Sequence, residues 1–330
     1  MFSLIQSFYN ISLSLTKTKV RVLCYHRINK YGDWFGIDTD IFDQQVKYLS
    51  KNFNFITIRD FLKILNNEIY IEKALLLTFD DGYKDNYTDA FPILKKYSAP
   101  AIIFLTTDFI DGKMWMWQDI YRFIVNTVQK KNANITIDGI NLSFDFSSYE
   151  GKMKARRNID FHCNKMIRSE RLSFLHLLAN NLQLTIPNLP TEEYAPLSWT
   201  QVRELAKGGI DFGAHSQSHE RLSKLNVNDC YNEIIRSKKK IEMELNKEIN
   251  AFSYPNGLKE DFTDEIKKMV SKSGFSCAFT MIEGMNSMNS DKYELARFSP
   301  ANEYSSYFIA EVFGLNIWKQ KIKNLRKDNS

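Results

Sequence analysis

Two short stretches of this chain carry residues that could do hydrolytic chemistry. Asp80 and Asp81 stand side by side at the end of Leu75-Leu76-Leu77-Thr78-Phe79, an apolar run that closes on Gly82. His215 and His219 stand four apart, and they are two of only five histidines in 330 residues. Two imidazoles and a carboxylate are a common donor set for a divalent metal, leaving positions open for water and substrate. A second, adjacent aspartate can then stay off the metal and take a proton from water. Unpaired buried charge is expensive, so two carboxylates at the end of a buried run call for a cation nearby. Aspartate in that place is also a common helix cap, and a lone HxxxH is a weak sign of a metal. The coincidence of the two stretches points to a site.

The elements around them alternate strand and helix. Val20–Tyr25, Ala74–Phe79, Ala101–Leu105, Ile210–Ala214, Ala251–Tyr254, Ser276–Thr280 and a stretch near 294–298 are apolar runs of strand length. Between them lie helical spacings such as Phe42, Val46 and Leu49, and Phe91, Leu94 and Tyr97. This order implies βαβ units with a parallel sheet. His26, Asp80, Asp81, His215, Asn256 and Arg297 all fall at or just beyond predicted strand ends. In a parallel α/β barrel those ends form one face, where loops from several strands build the site.

The pattern changes at about residues 132–196. Ile135 to Phe146 alternates around Asp138-Gly139, a hairpin signal, and two basic helical pieces and a proline-containing linker follow. This predicts an α/β insertion in the series. His162 and His176 lie there and are expected to be packing or surface residues. Trp115 and Trp117 precede the insertion. They could stack on a sugar ring, or simply pack at a helix start. With Tyr254 they are the expected substrate contacts. Ser198 and Gln201 form a capping box for a helix that ends at Gly208-Gly209.

Composition narrows the class. Hydrophobic residues make up 44% and charged residues 25%, as in ordinary globular proteins. The net charge of +5 is mild and gathers near the C-terminus, so no nucleic-acid partner is expected. Cys24, Cys163, Cys230 and Cys277 are far apart and form no CxxC pair, which argues for free thiols in a reducing compartment. Residues 1–19 are apolar but interrupted and have no basic residue before Lys17. They are expected to form an uncleaved helix, packed on the domain or on a membrane surface, in a cytoplasmic protein. The expected organisation is that helix, one catalytic domain over 20–325, and a basic tail at 326–330.

Three segments together resemble the polysaccharide deacetylase family (NodB homology, carbohydrate esterase family 4). They are Thr78-Phe79-Asp80-Asp81-Gly82, His215-Ser216-Gln217-Ser218-His219 and Phe252-Ser253-Tyr254-Pro255-Asn256-Gly257, in the family's order. Tyr25-His26-Arg27 and Leu295-Ala296-Arg297 resemble the branch with a YHR opening. The resemblance covers about residues 20–120 and 196–300. It implies a distorted (β/α) barrel with seven strands and metal-dependent removal of acetyl groups from an acetylated saccharide. By the same resemblance Asp80 is the base, and Asp81, His215 and His219 are the metal ligands. The Asn256 N–H serves the oxyanion, and Arg297 orients the base. Zinc is favoured, and nickel, cobalt or manganese would also fit such donors.

Two departures from the family pattern stand out. Ser253 occupies a position where other branches carry an arginine, so base orientation passes to Arg297. No histidine follows His219, so the family's late acid is missing and His26 is its expected replacement. Two other readings remain at this stage: hydrolysis of a non-sugar C–N bond, and a non-catalytic sugar-binding module on the same scaffold.

Overall fold

The computed structural model describes residues 19–29, 36–300 and 303–313. The expected N-terminal helix and basic tail lie outside those residues. The chain forms two compact units, one from 1–111 with 196–330 and the other from 112–195. The second unit begins at Gly112 and takes in the tryptophan-bearing segment ahead of residue 132.

The first unit is built on a seven-stranded sheet. Strands β1 (Arg21–Tyr25), β4 (Asn54–Phe55), β5 (Ala74–Phe79), β6 (Ala101–Leu105), β9 (Asp211–Ala214), β10 (Ala251–Ser253) and β11 (Cys277–Phe279) compose it. Every pairing among them is parallel, in the order β1-β5-β6-β9-β10-β11 with β4 beside β5. Two-residue strands β2 (Arg27–Ile28) and β3 (Gly36–Ile37) pair separately. All six residues of β5 are buried, which is why Ala-Leu-Leu-Leu-Thr-Phe shows no polar alternation. Truncating one of its leucines to alanine would cost about 2–5 kcal/mol.

The sheet curls until its two ends meet through an irregular segment. Leu295 bridges Phe279 of β11 and Phe298 bridges Leu23 of β1, both in parallel. Hydrogen bonds from Thr280 N to Leu295 O (2.8 Å) and from Cys24 N to Phe298 O (2.8 Å) close the ring. The strand expected near 294–298 is thus two isolated bridges with Arg297 between them.

Register then fixes the site. Tyr25 lies opposite Phe79, Leu105 opposite Ala214, and Ala214 opposite Phe252. The residues that follow these pairs, His26, Asp80, His215 and Ser253, are therefore brought to one end of the sheet. Asp80 N donates to Tyr25 O at 2.9 Å and His215 N to Leu105 O at 2.9 Å, extending the ladder to the functional residues themselves.

The second unit comprises helix Trp117–Thr127, a hairpin of β7 (Asn132–Ile137) and β8 (Ile140–Asp145), and helices Tyr149–Cys163 and Arg168–Asn181. Asp138 and Gly139 have φ of 49° and 79°, the pair of left-handed residues that a two-residue hairpin turn needs. No described helix is long and apolar enough to cross a membrane.

Candidate active site

Asp80 is buried at the end of β5 and is gripped by Arg297. The guanidinium donates from Nη1 to Asp80 Oδ1 at 2.8 Å and from Nη2 to Oδ2 at 2.7 Å. Arg297 is itself fixed by donating from Nε to Thr280 O at 2.8 Å and from Nη1 to Thr78 Oγ1 at 3.2 Å. Ser253 Oγ joins the pair, accepting from Arg297 Nη2 at 2.9 Å and donating to Asp80 Oδ2 at 3.2 Å. Burial pushes the Asp80 carboxyl up, but Arg297, with His215 and His26, outweighs it and holds the carboxyl well below the usual carboxylate range. Asp80 is an ion-paired anion and not a helix cap.

Asp81 turns away from this pair. Its φ of 77° and the 88° of Gly82 make two successive left-handed residues. Only glycine fits at 82, since a Cβ there would meet Leu105 Cδ2 at 2.7 Å and Ile110 Cδ1 at 2.8 Å. The turn brings Asp81 Oδ1 to 3.5 Å from His215 Nε2 and 3.3 Å from His219 Nε2. His215 Nδ1 lies 2.8 Å from Ser253 O, which fixes the proton on Nδ1 and leaves Nε2 as a lone-pair donor. Burial holds the His215 ring below the usual histidine range, in the neutral form a metal ligand requires.

One ligand atom each from Asp81, His215 and His219 lies within 4.8 Å of the others, and all three residues are buried. Two imidazole nitrogens and a carboxylate oxygen converging in this way suit a divalent metal. A second group, Cys24, His26 and Asp80, is equally close. It sets the half-buried His26 beside the carboxylate of Asp80 and adds Cys24, a fully buried thiol whose position on the inward face of β1 the spacing did not single out. Asn86 Nδ2 donates to His26 O at 2.7 Å, and Asp85 accepts from Arg27 Nε at 3.0 Å and Ile28 N at 3.2 Å, so the strand end carrying His26 is held on both sides.

Asn256 follows Ser253 by three residues on the same loop and has a φ of 57°. Tyr254, between them in the chain, turns its ring into the core. It is fully buried, stacked on Phe262 at 4.7 Å, and its hydroxyl donates to Tyr293 O at 3.0 Å. Trp115 and Trp117 are likewise turned inward. Both are buried in the core of the second unit. Trp115 Nε1 donates to Pro187 O at 3.0 Å and its ring meets Phe123 and Tyr194. Trp117 packs on Tyr121 beneath the guanidinium of Arg171. All three rings pack inside the fold. His162 and His176 lie in the second unit, where His162 packs beside Phe161 and Phe174.

Ser253, a departure from the family pattern, has two tasks in the fold, through its hydroxyl and its carbonyl. Nothing in the local pattern signals that, because the partners are 173 and 44 residues away.

A parallel barrel with an ion-paired aspartate beside a candidate Asp-His-His metal site suits a hydrolase of the class expected above. A family model described as polysaccharide deacetylase matches residues 69–139 and 173–278, more than half of the chain. The protein belongs to the polysaccharide deacetylase family. It is 24% identical, over 93% of its length and 88% of the relative's, to a poly-β-1,6-N-acetyl-D-glucosamine N-deacetylase of Staphylococcus epidermidis. The fold is similar to that of the Streptococcus pyogenes deacetylase PplD, solved in complex with acetate. The TM-score is 0.60 and the identity 20%, covering 90% of this chain and 99% of that one. It is also similar to IcaB from Ammonifex degensii, with TM-score 0.55, 19% identity, and 89% and 96% of the two chains covered.

Proposed function

We propose that this polysaccharide deacetylase hydrolyses the acetamido group of N-acetylated sugars, with Asp80 as general base and a divalent metal held by Asp81, His215 and His219. The observation that carries the reading is the separation of roles between two adjacent aspartates. Asp80 is committed to Arg297 and Ser253, while Asp81 faces the two imidazoles. Zinc is the ion these donors favour, and nickel, cobalt and manganese fit them too. When bound, such an ion supplies Lewis acidity toward a carbonyl and toward water.

The chain's own groups do the rest. Asp80, whose carboxyl the Arg297 guanidinium helps hold well below the usual carboxylate range, takes the proton of the attacking water. Arg297 and Ser253 hold its oxygens in place without neutralising it. The Asn256 N–H donates to the oxyanion of the tetrahedral intermediate. His26, beside Asp80, protonates the sugar amine as it leaves, which an amide needs because an unprotonated amine is a poor leaving group. The S. epidermidis relative's name makes a β-1,6-linked N-acetylglucosamine polymer the first substrate to try.

The test is acetate release from N-acetylated and O-acetylated saccharides, with and without chelator and added Zn²⁺. Chelator-sensitive release from N-acetylated glucosamine oligomers is the expected result. Release only from O-acetylated sugars, or release that chelation leaves untouched, would overturn the reading.

A further inference from the structure

The loop from His215 to His219 is held in a conformation that its own residues do not favour. Ser216 has a φ of 63° and His219 a φ of 58°, two left-handed residues without a glycine among five. Within the loop, His219 N donates to Ser216 Oγ at 3.0 Å. The remaining restraints come from outside it. On one side Asp108 N donates to Gln217 O at 2.8 Å, and Gln217 Nε2 donates back to Asp108 Oδ2 at 3.1 Å. On the other, Glu233 of helix Val227–Leu245 accepts from Ser218 N on Oε2 at 2.8 Å and from Ser218 Oγ on Oε1 at 2.6 Å.

We propose that Glu233 is a positioning residue for the metal ligands, clamping Ser218 so that His219 stays aimed at the point where Asp81 and His215 also converge. The proposal rests on reading Asp81, His215 and His219 as a metal set. Ser218 is buried and immediately precedes His219, so a shift of its peptide rotates the ligand that follows. Both oxygens of one carboxylate are spent on this single residue, a two-point grip that fixes orientation as well as distance. Without Glu233 the Ser218 N–H would lie buried without its acceptor, and the loop would gain by leaving the left-handed conformation. The sheet beneath would remain, because β9 is held by β6 and β10 independently of this contact. The loss therefore falls on ligand geometry.

The probe is Co²⁺ alone, titrated into the metal-free full-length protein against a chelating dye at 25 °C. Glu233→Ala is expected to bind Co²⁺ about 10–100-fold more weakly than wild type, the range typical when an outer partner of a metal ligand is removed. Glu233→Gln keeps an acceptor for one of the two bonds and is expected to fall between them. Ser218→Ala, which removes the hydroxyl contact alone, is a milder second variant should Glu233→Ala not fold, and it too is expected to weaken Co²⁺ binding. A purely structural role would lower the melting temperature and leave Co²⁺ affinity unchanged in the folded protein. That result in Glu233→Ala, or in Ser218→Ala where only it folds, would overturn the proposal while leaving the metal site standing. Failure of the wild type to bind Co²⁺ would overturn both.

Discussion

Arg297 grips both carboxylate oxygens of Asp80 from 217 residues along the chain, at 2.8 and 2.7 Å. The arginine sits on the irregular segment that closes the barrel, so the same segment closes the fold and pairs with Asp80. Removing either partner leaves the other charge buried without its counter-ion, at a stability cost of about 3–5 kcal/mol. Arg297→Gln should also change the rate profile. Burial favours the protonated carboxyl, and without the guanidinium that term is no longer outweighed. A base works only when unprotonated, so the acid limb of kcat/KM moves to higher pH. A pH–rate profile of Arg297→Gln checks this, and an unmoved acid limb would contradict the role given to Arg297.

Asp80 and Asp85, on the same loop, have opposite pH signatures. The Asp80 carboxyl is depressed in the fold, so its pairing stabilises the protein above the usual value of 3.8 and is lost as pH falls below it. Burial pushes Asp85 the other way, to about 6, and the Arg27 contact only partly offsets it. Its protonated form is favoured by the fold, so stability is present below 3.8 and falls as pH rises through about 6. Roughly two pKa units correspond to about 3 kcal/mol. Urea unfolding at about pH 4 and about pH 7 should show wild type losing about that much more than Asp85→Asn over the interval. Equal losses would show that Asp85 ionises normally in the fold.

His26 offers a test by leaving group. His26→Gln is expected to slow hydrolysis of an N-acetyl sugar by about 10²–10⁴-fold. An activated aryl acetate, whose phenolate leaves without a proton, should be affected far less. Equal losses on both substrates would remove His26 from the acid role.

The buried tryptophans separate packing from recognition. Trp115→Phe forfeits the bond to Pro187 O and part of the ring contacts, and should lower stability by about 1–3 kcal/mol. KM for the saccharide should stay within about twofold, because packing is the only task the fold gives the ring. A raised KM with unchanged melting temperature would restore a role in sugar stacking.

Much of the architecture was legible because burial on both faces leaves unmistakable apolar runs such as 74–79 and 101–105. Local chemistry was legible too: the Ser198–Gln201 capping box and the Asp138-Gly139 turn form as their residue types dictate. The helix that carries the spacing Phe91, Leu94 and Tyr97 is preceded by a wider π turn over Asn86–Ala90. Phe91 N there donates to Asn86 O, and Pro92 supplies no N–H to continue a regular ladder across the junction. The aromatic residues misled for a related reason. A tryptophan near a strand end has the same sequence whether its ring faces a sugar or a core, and only tertiary packing decides. The hydrogen bonds of Ser253 and Glu233 are likewise made across the fold, beyond the reach of any local pattern.

The central claim is that Asp80 acts as base while its neighbour belongs to the metal set. Acetate release and metal content measured together on Asp80→Asn test it most directly. The amide oxygen can still accept one of the two bonds from Arg297, so the variant should fold, less stably, with Asp81, His215 and His219 in place. The account predicts wild-type metal content with turnover lowered by at least about 10²-fold. Near-normal turnover, or loss of the metal along with activity, would contradict it.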